Sequence, residues 1–186
     1  MRNGGWTVIQ RRQDGTTNFF QTWEDYKKGF GGLYGEHWLG NDNIYLLTNQ
    51  NYYKLRVDLM DWDKTKKIAY YQSFLVDHER EGYMLHIGGY SGDAGDGLGK
   101  HDESMFSTKD VDNDKVSKEF GGSCAKRFYG AGWYYKCYSS NLNGKFYKGG
   151  TIPEKRYDGI TWKPWTGPNN SLKKVEMKIK PASAKD

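Results

Sequence analysis

Three aspartates alternate in the stretch "FSTKDVDNDK" (106–115): Asp110, Asp112 and Asp114, with Asn113 between the last two. Alternate carboxylates on an extended loop can converge on one hard cation. Calcium accepts loose oxygen geometry from carboxylates and backbone carbonyls, at roughly 2.3–2.6 Å. The 1, 3, 5 spacing is that of an EF-hand, but Lys115 stands where its glycine belongs and Gly121 where its glutamate belongs. A cation would also relieve repulsion, since two unit charges 4 Å apart interact by about 4 kcal/mol at an effective dielectric of 20. The alternative is a solvated acidic turn, and spacing by itself leaves both open.

Other chemistries lack their residues. The run "GGYSGDAGDGLGKHD" (88–102) has glycines and a lysine, but His101 follows Lys100 where a phosphate loop needs Ser or Thr, and Asp93, Asp96 and Asp102 would repel phosphate. No GxSxG elbow and no HExxH occurs. His37, His78, His86 and His101 are dispersed, so nothing in the chain points to an enzyme. Cys124 and Cys137 are too far apart for CxxC redox chemistry and have no histidine cluster around them. They read either as two buried thiols or as a disulfide closing a short loop, which would stabilise the fold by roughly 3 kcal/mol. "NNS" (169–171) makes Asn169 an N-glycosylation acceptor in a Gly/Pro-rich loop.

These residues need a scaffold. The chain has 186 residues, enough for one domain with a real core. Apolar residues are only 36%, yet aromatics reach 16%, which predicts a core rich in Tyr and Trp rather than disorder. The formal charge of +5 permits an acidic partner but does not demand one; the lysines are mixed with acids along the chain, and a solvated mixed-charge surface with no nucleic-acid site is the expectation. No apolar run of roughly 18 residues exists to insert in a membrane. No signal peptide is visible, and "MRNGGWTVIQ" reads as the start of a fragment, already inside folded sequence.

Strands are expected at 6–12, 53–62, 68–76, 83–90 and 171–181, and short helices at 22–29 and 43–50. Thr22 is the expected N-cap of the first helix, with Asp25 in its first turn and Gly29 at its end. The pieces from 53 to 90 follow one another through short turns, as antiparallel neighbours do. Residues 91–170 read as loop, rich in Gly, Asn and Asp, and long loops in compact domains are usually functional. The fold class is α+β: an antiparallel sheet with short helices plus a loop-rich lobe. One domain is expected over 1–183, with a sheet-rich part at 1–90, a ligand and calcium lobe at 91–170, a strand at 171–183 returning to the sheet, and a tail at 184–186.

Six segments carry a resemblance to a known family: "GGWTVIQRRQDGTTNFFQTWEDYKKGFG" (4–31), "GEHWLGNDNIYLLT" (35–48), "YSGDAGD" (90–96), "FSTKDVDND" (106–114), "SNLNGKFY" (140–147) and "SLKKVEMKIKP" (171–181). In this order, over nearly the whole chain, they resemble the fibrinogen C-terminal domain family, which includes fibrinogens, ficolins, tenascins and angiopoietin-like proteins. The closing segment looks most like the angiopoietin-like branch. The resemblance implies a secreted, non-enzymatic domain with Ca²⁺ held by the side chains of Asp112 and Asp114 and the backbone carbonyls of Val116 and Lys118. It implies a Cys124–Cys137 disulfide and a cis bond at Lys136–Cys137 that turns the N–H groups of Cys137 and Tyr138 toward a pocket. Tyr129, Tyr138 and Tyr157 match or lie near the pocket's aromatic walls. Tyr138 replaces the family's usual histidine, keeping an aromatic wall but changing the donor. The cysteine-paired segment that precedes "GGW" in family members is missing from the sequence.

Two functions follow from the resemblance. One is lectin-like binding of acetylated glycans beside a calcium-stabilised loop, as in innate recognition. The other is an angiopoietin-like ligand domain that engages a cell-surface receptor or matrix protein through a broad surface. In either case segments upstream of this sequence are expected to oligomerise the full-length protein and multiply weak single-site binding.

Overall fold

The structure is a computed structural model that describes residues 5–116 and 121–184. Alternation builds its centre. Leu55, Val57 and Leu59 of β4 (Tyr53–Met60) and Val175, Met177 and Ile179 of β9 (Lys174–Pro181) are buried on one face, while the residues between them face outward. β4 pairs with β9 on one side and with β5 (Lys66–Val76) on the other, and β5 pairs with β6 (Leu85–Gly92). β9 pairs in turn with β1 (Thr7–Arg12), which adds the two-residue strands β3 (His37–Trp38) and β2 (Phe30–Gly31). The seven-stranded antiparallel sheet runs β2-β3-β1-β9-β4-β5-β6. The last strand is thus its middle strand, tying the two ends of the chain together.

Helix α1 (Trp23–Lys28) has the expected start: the Thr22 side chain accepts from the Asp25 backbone, and the Asp25 carboxylate accepts from the Thr22 backbone. Helix α2 (Asn41–Thr48) begins two residues before the expected 43. Asn41 is recruited because its side-chain oxygen accepts from Trp38 Nε1 at 3.0 Å, and Gly40 precedes it at φ 105°, where a Cβ would meet the Lys28 carbonyl at 2.7 Å. β5 starts at Lys66 rather than 68, since Met60 is still paired opposite it. β6 starts at Leu85 rather than 83, because Tyr83 sits at φ 50°.

Beyond β6 regular structure is sparse, as the composition implied. Among the described residues before β9 it consists of α3 (Cys124–Arg127), α4 (Lys163–Thr166), a small ladder of β7 (Ser140–Asn141) with β8 (Thr161–Trp162), and one 3-10 turn (Gly99–His101). Side chains from these loops complete the core of the sheet. Phe106, Trp133, Leu142 and Trp162 join Ile9, Trp38 and Phe74 in one apolar cluster. Trp133 is also fixed by its indole N–H, which donates to the Tyr83 carbonyl at 2.8 Å. A satellite cluster contains Cys124, Ala125, Phe128, Tyr134 and Tyr138.

A β-bulge between Val8 and Gln10 sets the phase of β1. Ile9 and Gln10 are both buried, Arg11 faces out and Arg12 faces in. Arg12 Nη1 donates to the carbonyls of Leu142 (3.1 Å) and Gly144 (2.8 Å), and its guanidinium lies 3.9 Å from the centroid of Phe19. Glu36, also buried, lies 3.6 Å from Arg12 Nε and accepts backbone N–H groups from Gln13, Asp14, Gly15 and Thr17. Burial pushes the Arg12 pKa down to about 10 against the pull of Glu36. This pair wraps the 13–17 loop around one carboxylate, and it anchors the loop-built half to the sheet.

Candidate functional site

The three aspartates do not act alike. Asp110 turns away: its Oδ1 accepts the backbone N–H of Trp23 at 2.9 Å and the Thr108 hydroxyl at 2.7 Å, which ties the acidic loop to the first turn of α1. Asp112 and Asp114 stay together. Asp114 accepts the Val116 N–H at 2.9 Å and the Cys124 N–H at 2.7 Å. Burial raises the pKa of its carboxyl, and the neighbouring Asp112 carboxylate adds to the rise, while the two N–H groups oppose it. Two adjacent carboxylates with the Val116 carbonyl close in sequence form an all-oxygen donor set, the chemistry a hard cation takes. Among the described residues there is no cluster of three or more His, Cys, Asp or Glu side chains that could hold a metal. The fit therefore rests on two carboxylates and backbone oxygen. Lys118, the other expected carbonyl donor, lies outside the described residues.

Cys124 opens α3, with Ser123 as its cap, and is joined to Cys137 by a disulfide. The Lys136–Cys137 peptide bond is cis. Around it lies a cavity of about 200 Å³ lined by Lys100, His101 and residues 135–139. The backbone N–H groups of Cys137 and Tyr138 donate to no partner among the described residues, while their neighbours Tyr135 and Ser139 do: Tyr135 N–H to the Cys137 carbonyl at 2.9 Å, and Ser139 N–H to His101 Nε2 at 2.9 Å.

Of the expected pocket residues, Lys136, Cys137 and Tyr138 meet in this cavity. Tyr138 also packs the satellite cluster: it is 9% exposed, its ring meets Phe128 edge-on at 4.9 Å, and its hydroxyl donates to the Tyr157 carbonyl. Burial raises the pKa of that hydroxyl to about 12. Lys163 Nζ lies 3.9 Å from the centroid of the same ring. Tyr157 thus touches the site through its backbone. Tyr129 is not brought in. It stacks on Phe20 with ring centroids 4.4 Å apart and lines a separate cavity of about 440 Å³ with Arg12, residues 15–20 and residues 144–146. Asn169 is exposed, and its carbonyl accepts from the Ile152 N–H.

His101, Lys100, Tyr135 and Ser139 were not singled out for the pocket. His101 is 3% exposed; its Nδ1 faces the Trp133 carbonyl at 2.6 Å while Nε2 accepts from Ser139. An acceptor nitrogen carries no proton, so the ring is neutral with its hydrogen on Nδ1. Burial accordingly lowers its pKa. Nothing in the local sequence distinguishes this histidine from the other three. Its partners lie more than thirty residues further along the chain.

A seven-stranded sheet backed by an aromatic core, with a disulfide-closed loop cavity beside an acidic loop, defines a non-enzymatic recognition domain. Residues 1–182 match the family described as "Fibrinogen beta and gamma chains, C-terminal globular domain", and the chain belongs to that family. It is 49% identical over 183 residues to Fibrinogen C domain-containing protein 1 of Xenopus tropicalis, covering 96% of this chain and 39% of that protein. It is 46% identical over 183 residues to Angiopoietin-related protein 7 of Mus musculus, covering 98% of this chain and 52% of that one. The fibrinogen-like globe domain of human ANGPTL2 superposes with a TM-score of 0.93 at 48% identity, covering 98% of this chain and 82% of that chain. The sequence thus spans between about two fifths and half the length of these curated relatives.

Proposed function

We propose that this is an extracellular recognition domain that binds acetylated glycans in the cavity at residues 135–139, beside a loop stabilised by Ca²⁺. The observation that carries the reading is the pair of backbone N–H groups of Cys137 and Tyr138, without partners among the described residues, on the wall of a cavity of about 200 Å³. Two adjacent donors suit a carbonyl oxygen such as that of an acetyl group, and aromatic faces suit its methyl or a sugar ring. Ca²⁺ on Asp112, Asp114 and the carbonyls of Val116 and Lys118 would neutralise the carboxylate pair. Asp114, through the Cys124 N–H, carries that effect to the disulfide and so to Cys137. Tyr138 acts as floor and wall at once, and Tyr157 supports it through its carbonyl.

Glycan-array binding of the purified domain, with and without chelator, tests the reading. Binding to N-acetylated sugars, competed by N-acetylglucosamine but not by glucosamine, is expected. Equal competition by the two sugars would remove the acetyl assignment.

A second reading, engagement of a receptor or matrix protein, is favoured by one feature. Leu33 and Tyr34, at the tip between β2 and β3, are 71% and 101% exposed. Large apolar side chains in solvent suit a protein partner. An array with no glycan bound, together with saturable binding to a cell surface that is lost in Leu33→Ser/Tyr34→Ser, would favour this reading over the first.

A further inference from the structure

The outward face of the sheet gathers charge that the sequence scatters. Cross-strand register places Lys174, Met60 and Lys66 in one row. The next row holds Arg11, Glu176, Asp58 and Ile68, and the one after it Lys178, Arg56 and Tyr70. Lys180 and Lys54 form a fourth row, beside Trp6. Lys180 is buried, so six of these cations reach the surface and stand against two carboxylates, an excess of four. Both acids are already engaged. Glu176 pairs with Arg11 at 2.6 Å, and Asp58 with Arg56 at 2.7 Å and with Lys178. Lys66 and Lys174 are exposed, face each other across Met60, and make no ion pair among the described residues. Neighbouring strands are about 4.8 Å apart, so these two backbones are roughly 10 Å apart. The groove along this end of the face, with Arg56 and Ile68 in its lining, has a volume of about 310 Å³. Trp6 and Tyr70 lie on the same face with ring centroids 6.4 Å apart.

We propose that this sheet face is a second binding site, independent of the disulfide cavity, for a linear sulfated polysaccharide. The partner's chemistry follows from three features of the face. A net cationic surface with its acids neutralised attracts a polyanion. Rows of ammonium and guanidinium groups repeated at strand spacing meet a chain that carries charge at intervals, rather than one compact anion. The half-buried rings of Trp6 and Tyr70 among the cations suit sugar rings. The disulfide places the domain in an oxidising compartment, where sulfated polysaccharide rather than nucleic acid is the abundant polyanion.

The test is binding of a size-defined sulfated heparin oligosaccharide to the purified chain at about 0.15 M salt, where the Debye length is about 8 Å. Lys66→Glu/Lys174→Glu is compared with Lys126→Glu/Lys148→Glu, two exposed lysines of the loop-built half. Both variants change the net charge equally, and their melting temperatures should match the wild type. The expected result is binding that weakens as salt rises, about tenfold or more weaker in the Lys66/Lys174 variant and near wild type in the other, since close charges act over a Debye length. An equal loss in both variants would reduce the effect to net charge and overturn the site. No binding at this salt would overturn it too. Binding of single-stranded DNA of the same charge as tightly as the oligosaccharide would overturn the assignment to a sulfated sugar chain.

Discussion

Asp114 Oδ2 accepts the backbone N–H of Cys124 at 2.7 Å, so one carboxylate serves both the acidic pair and the half-cystine that begins α3. Cys124 leads through the disulfide to Cys137, on the wall of the cavity. The loop that would hold a cation and the loop that would hold a ligand are therefore two links apart, one hydrogen bond and one disulfide. Asp110, which had suggested a third ligand, instead fastens the same loop to α1.

Calcium should raise the melting temperature. A ligand that binds only the native state adds RT ln(1 + [L]/Kd), or about 2.7 kcal/mol at one hundred times Kd. Asp112→Ala should abolish the rise while leaving the calcium-free protein near wild type. Asp114→Ala should abolish it and also lower the calcium-free melting temperature, because the N–H groups of Val116 and Cys124 lose their acceptor. Scanning calorimetry over a calcium series checks both. Identical melting of wild type and Asp112→Ala at every calcium level would reduce the pair to a solvated turn.

Glu36→Gln should cost about 3–5 kcal/mol, the usual penalty for leaving one member of a buried ion pair uncompensated. Glu36 accepts from four backbone groups of the 13–17 loop besides facing Arg12, and an amide cannot accept at both ends. Urea unfolding measures this directly. A loss below about 1 kcal/mol would show that the Arg12 and Glu36 charges are not coupled to folding.

His101 should make the domain acid-sensitive. Its folded pKa is lowered by burial, beneath the ordinary value of about 6.5. The unfolded state then takes up a proton first, so the contribution is complete above about pH 6.5 and is lost as pH falls through the folded value. The melting temperature should begin to drop as pH falls below about 6.5, before most carboxylates titrate, and His101→Gln should flatten that slope. Equal slopes in wild type and variant would place the acid sensitivity elsewhere.

Asn169 should carry a glycan when the chain is made in a glycosylating secretory host. The acceptor is exposed, although the Ser171 hydroxyl is buried in the finished fold and accepts the Ile160 N–H at 3.1 Å. Attachment would have to precede that packing. Intact mass before and after glycosidase treatment decides it, and an unchanged mass removes the site.

The long strands, the capped start of α1 and the acidic loop were legible because each is a local pattern. Alternation in "YKLRVDLM" and "KVEMKIK" needs no partner to be read, and Thr22 finds Asp25 three residues away. The family's motifs extended that reading to the sheet and the disulfide. Tertiary structure decided the rest. One bulge in β1 sends Arg11 to Glu176 on the outer face and its neighbour Arg12 inward to Glu36, a choice that alternation cannot make. His101 reaches the cavity through contacts with Trp133 and Ser139, and Tyr129 leaves it for Phe20, 109 residues earlier. Cations from both ends of the chain, Arg11 and Lys178 among them, reach one face because β9 inserts between β1 and β4. The local chain fixes which way successive side chains alternate, but only long-range pairing fixes which strands lie side by side and what those side chains then meet.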